Sequence, residues 1–153
     1  MVIRLAGSKF TLKFITLIIL FGAAGIMTDQ IVFLVENHHM DFIPAEIGLE
    51  ADIAIQMAAF GVFLEHRGWL LDRIYLDGIP ETVKQFDRYC HDVGVLLILI
   101  AVIIESVDLF FLALNNWGIE FAGLKYTEIA LLVAINLTAV VTVALFGLRS
   151  LRE

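Results

Sequence analysis

The chain has 153 residues, 60% of them hydrophobic and 18% charged, with a net charge of −7 and a mean hydropathy of +0.90. Ordinary soluble domains hold about 45–50% apolar residues, and here the charges cluster between apolar blocks, the pattern of an integral membrane protein. The acidic balance excludes a nucleic-acid binder, which needs a basic face, and the single cysteine, Cys90, excludes an intrachain disulfide or a multi-cysteine metal site.

The first apolar run follows Arg4, Lys9 and Lys13 and passes through Gly22-Ala-Ala-Gly25, a loose signal-peptidase pattern. It continues to Val35, which predicts an uncleaved first transmembrane helix over about 11–36. A polar connection ends at Pro44, which suits the first turn of a second helix over about 44–66. Glu46, Glu50, Asp52 and Gln56 crowd its first half, and only Ile53 to Leu64 is free of charge.

Residues 67–89 mix Trp69, Leu70, Ile74, Tyr75 and Phe86 with charges, as an amphipathic interfacial segment does. Asp77-Gly78 reads as a turn, and Pro80 opens a helix that runs into the third span, about 92–114. Asn115-Asn-Trp-Gly118 ends that span, and the fourth covers about 128–148 before Arg149 and Arg152. The expectation is therefore one all-α domain over 1–153, an integral membrane four-helix bundle with an amphipathic cytoplasmic segment between helices 2 and 3. Four spans put Arg4, Lys9, Lys13, Arg67, Arg73, Lys84, Arg88, Arg149 and Arg152 on one side and only Lys125 on the other. That asymmetry predicts cytoplasmic N- and C-termini in the cell or inner membrane.

Glu105 and Asp108 lie within the apolar run of the third span, one helical turn apart. Carboxylates in hydrocarbon are costly and mark functional pathways or buried contacts. At 1.5 Å per residue Glu105 lies about 13 Å below the outer end of its span, and Asp29 about 10 Å below the end of the first. Asp52 and Gln56 enter from the outer end of the second, and Asn136 lies in the outer half of the fourth. Three–four spacing joins Gly22, Gly25, Asp29 and Val32 on one stripe, as it joins Asp52, Gln56, Ala59 and Phe63, and Gly94, Ile98, Ala101, Glu105 and Asp108. Together these predict one acidic site built from Glu105, Asp108, Asp29, Asp52, Gln56 and Asn136.

Oxygen donors of this kind bind, conduct or exchange H⁺ or a hard metal cation, which is the first functional expectation. A second is a structural or accessory subunit of a larger membrane complex, with the polar groups bonding across helices. A third is a metal-centre oxidoreductase. Glu36-Asn-His-His39 provides a Glu-x-x-His pair and Glu105-Ser-Val-Asp108 a carboxylate pair at the same spacing, which resembles part of a four-helix di-iron site. The second histidine of that pattern is missing, and His66 and His91 at helix ends are the other candidate ligands. A bound metal cation is the first cofactor these residues suggest, and haem or a metal held by His66 and His91 with Glu65 and Asp92 is the other. The expected partners are the lipid bilayer and either further copies of the chain or other membrane subunits.

Overall fold

The computed structural model describes residues 9–36, 49–75, 78–119 and 123–152. Among them every regular element is helical: α1 (Lys9–Glu36), α2 (Leu49–Glu65), α3 (Arg67–Ile74), α4 (Glu81–Asn116) and α5 (Leu124–Arg152). α1 neighbours α2 and α5, and α4 neighbours α2 and α5, so the four longer helices form a ring. α3 sits across one end of it, against α4 and α2.

Three of these helices are long and apolar enough to cross a membrane, over Phe10–Thr28, Glu81–Asn116 and Tyr126–Ser150. The described part of α2, Leu49–Glu65, has 17 residues against the ~20 that a span requires; Pro44, where the sequence suggested its start, lies outside the described residues. α4 shows the opposite departure. Its 36 residues extend to about 54 Å, well beyond a hydrocarbon core of about 30 Å. Its first three turns carry Lys84, Asp87, Arg88, His91 and Asp92, and its apolar run follows.

Local signals explain where α4 begins and ends. Pro80, with φ −55°, stands at its N-cap and Glu81 lies in its first turn, where an acidic side chain complements the helix dipole. At the other end Gly118 adopts φ +70°, its amide donates to the Asn115 carbonyl, and the Ile119 amide donates to the Leu114 carbonyl. This pair of bonds is the Schellman closure, and its left-handed residue favours glycine.

The buried seam gathers Leu12, Ala23, Ile53, Met57, Phe60, Leu64, Leu97, Ile104, Leu132, Val143 and Phe146. What faces outward is equally apolar, including Phe10, Phe14, Phe21, Val102, Phe110, Leu137 and Leu145. Exposed hydroxyls do not break this surface. Thr28, Ser106, Thr138 and Thr142 each donate to the carbonyl four residues earlier, at 2.7–3.0 Å. Helices whose polar groups are satisfied internally, with apolar side chains outside, are suited to hydrocarbon.

The tightest packing lies between α2 and α4, which run antiparallel. A Cβ on Gly61 would stand 2.6 Å from the Gly94 carbonyl oxygen, and one on Gly94 would stand 2.7 Å from that of Gly61. The two backbones meet with no side chain between them, the contact that small residues permit.

Candidate functional site

Glu105 and Asp108 sit on α4 at mid-span, about 16 Å and 12 Å from its C-terminal end. Glu105 is exposed and Asp108 half-buried. Glu105 borders an outward-opening groove of about 270 Å³ between α2 and α4. α2 contributes Ala54, Ile55 and Ala58, while α4 contributes Ile98, Ala101, Val102, Ser106 and Leu109. The Ser106 hydroxyl donates to the Val102 carbonyl at 2.7 Å, and among the described residues that line this apolar trough the carboxylate of Glu105 is the one ionisable group.

Asn136 and Gln56 lie on the two long helices that neighbour α4. Asn136 is fully buried on α5, in line with Leu132, Ala139 and Val143 of the seam. Gln56 is half-buried on α2 and lies over α1, where a Cβ on Gly22 would come within 3.0 Å of its Oε1. The side chains of Asp29, Asp52 and Glu36, and the whole of His39, lie outside the described residues. Among the described residues no three His, Cys, Asp or Glu side chains converge to hold a metal ion. His66 and His91 are exposed. His66 stands at the N-cap of α3 and donates from Nδ1 to the Val62 carbonyl at 3.1 Å.

The expected stripes follow the packing seam in part: Gly94 and Ala101 are buried in it, while other members lie at its edge. On α1 Val32 is exposed and a Cβ on Gly25 would meet nothing within 4 Å, whereas Ala23 and Met27 are buried. On α2 Ala59 is exposed and Phe63 half-buried, while Met57, Phe60 and Leu64 are buried. On α4 Glu105 flanks Ala101 and Ile104, both buried. The α4 stripe thus runs from the buried Gly94 and Ala101 to the exposed Glu105 at the groove.

A second polar constellation lies at the α3 end of the bundle. Arg67, only 3% exposed, pairs from Nη1 with Asp87 Oδ1 at 3.2 Å and reaches Cys90 Sγ at 3.8 Å. Its guanidinium lies 5.2 Å from the Phe86 ring centroid, a cation–π distance. Phe146 stacks on Tyr89 at 5.7 Å and on Phe86 at 6.3 Å and meets Phe60 edge-on at 6.0 Å. Arg149 covers the outer side, 4.1 Å over Tyr89. The sequence places Arg67 in an amphipathic segment, where a solvated charge is the ordinary expectation. Nineteen residues and a helix boundary separate it from Asp87, so spacing alone gives no sign of the pair.

This arrangement fastens α3 to α4 through a buried cation, and the mid-span groove leaves a carboxylate facing outward. The first has the form of a structural clamp, while the second is open to an occupant. No protein-family model, curated protein or solved structure matches the chain.

Proposed function

We propose that the chain is an integral membrane protein with four spans and cytoplasmic termini that works as a subunit of a larger membrane assembly, Glu105 standing at the contact. The observation that carries this reading is the outward-facing position of Glu105 in an apolar groove. A carboxylate turned to lipid at mid-span is costly, whereas one turned to a partner is bonded. The alanine walls of the groove support the same reading, since small residues allow close helix approach. The bias of Lys and Arg toward one side supports the orientation.

The test compares wild type with Glu105→Gln after mild extraction from the native membrane. The wild-type chain is expected in a complex several times its own 17.1 kDa, and the variant is expected to shift toward the free chain.

Cation binding, conduction or exchange is the second reading, favoured by the burial of Asn136 on a helix adjacent to the one bearing Glu105 and Asp108. Asp29, Asp52 and Gln56 would complete the oxygen donors for H⁺ or a metal cation. Liposomes holding the purified chain are then expected to pass protons or a metal cation, with Glu105→Gln reducing the flux about tenfold or more, as loss of an essential carrier carboxylate implies. Equal flux in loaded and empty liposomes removes this reading.

A further inference from the structure

Resting on the assembly reading, we infer that the α2/α4 groove receives a transmembrane helix of another protein that carries a lysine or arginine at mid-span. The volume of the groove, about 270 Å³, lies below the ~300–1,000 Å³ usual for small-molecule pockets. Its form suits side chains of a helix laid along it. Ala54 and Ala58 on one wall and Ala101 on the other let a third backbone come close.

Charge decides among the occupants. Among the described residues the groove presents one carboxylate, and its hydroxyl neighbour Ser106 already donates to Val102. An occupant must therefore bring a donor to Glu105, and the strongest is a cationic one. Lipid chains fill the trough but supply no donor.

A second copy is equally poor. Among the described residues the basic ones lie near helix ends: Lys9 and Lys13 in the first turns of α1, Arg67 and Arg73 on α3, Lys84 and Arg88 in the first turns of α4, and Arg149 and Arg152 at the end of α5. Lys125 stands at the start of α5. Among the described residues another copy thus brings no cation to the depth of Glu105, in either orientation. A foreign span with a basic residue at its centre meets every condition. Its own buried cation is costly alone, so each helix supplies what the other lacks.

The experiment uses the full chain in phosphatidylcholine vesicles with labelled single-span Leu/Ala peptides bearing central Lys, Leu or Glu. Association is read by energy transfer over a dilution series. The Lys peptide is expected to bind about tenfold more tightly than the Leu peptide, the scale of one interhelical polar contact in a bilayer. Glu105→Gln is expected to abolish that preference, and Val102→Phe, which fills the trough and keeps the acid, to weaken binding of all three peptides. Equal binding of Lys and Leu peptides, or a Lys preference that survives Glu105→Gln, overturns the inference. Self-association lost in Glu105→Gln without any Lys preference also overturns it and assigns the groove to a second copy. The assembly reading fails separately: it falls if the native complex keeps its size in Glu105→Gln, whatever the peptides do.

Discussion

Gly61→Ala is expected to destabilise the protein, although alanine is the better helix former by about 1 kcal/mol. A Cβ at position 61 would lie 2.6 Å from the Gly94 carbonyl oxygen and 2.7 Å from Ile98 Cγ1. Backbone cannot yield as a side-chain tip does, so α2 and α4 must separate along their most extensive contact. Overpacking of a well-packed interior costs about 1–3 kcal/mol and occasionally more; Gly61→Leu, with a larger side chain against backbone, should reach or pass that upper figure. Gly25→Ala is the control, because nothing lies within 4 Å of its Cβ position. There the propensity gain stands alone and stability should rise by a few tenths to about 1 kcal/mol. Thermal denaturation in one detergent checks the opposite signs. Equal effects at 25 and 61 would contradict the crossing described here.

The second large effect concerns the clamp at the α3 end. Asp87→Ala leaves the Arg67 guanidinium, with 3% of its side chain exposed, without the carboxylate that faces it at 3.2 Å. Breaking a buried pair by removing one partner costs about 3–5 kcal/mol, and because Asp87 keeps 22% exposure the lower end is expected. Replacing both, as Arg67→Met with Asp87→Leu, should recover most of the loss, because apolar groups of similar size carry no desolvation penalty. Asp72→Ala, an exposed acid on α3, should change stability by less than about 0.5 kcal/mol. Denaturant unfolding of the four proteins separates these outcomes. A double variant as unstable as Asp87→Ala would show that Arg67 matters for more than its pairing.

Much of the fold is legible from apolar run lengths. The expected spans at 11–36, 92–114 and 128–148 lie within α1, α4 and α5. Pro80 correctly joins the amphipathic segment to the third span, which is why α4 is so long. The second span is less clear because acids occupy its first half, and the described part of its helix begins only at Leu49. Facing was harder to read, for a physical reason. A helix in hydrocarbon is apolar on both its packed and its outer sides, so Val102 and Leu97 look alike in sequence although one is exposed and the other buried. Polar spacing then becomes the remaining guide, and it is an uneven one: Asn136 lies in the seam, whereas Glu105 lies at its flank beside Ala101 and Ile104. Small residues are the better signal. Gly61 and Gly94 mark the crossing, and only Gly94 belonged to an expected stripe. The Arg67–Asp87 pair was illegible because its partners meet only once α3 folds back on α4.

The proposal centres on Glu105 as a group that meets a partner within the membrane, and the size of the native complex tests it most directly. Wild type, Glu105→Gln and Asp108→Asn are extracted from native membranes in the same mild detergent and their complexes weighed. A large complex is expected for wild type, a shift to the free chain for Glu105→Gln, and a smaller change for Asp108→Asn, whose aspartate is half-buried. A wild-type chain that runs alone, or a Glu105→Gln complex of unchanged mass, would contradict it.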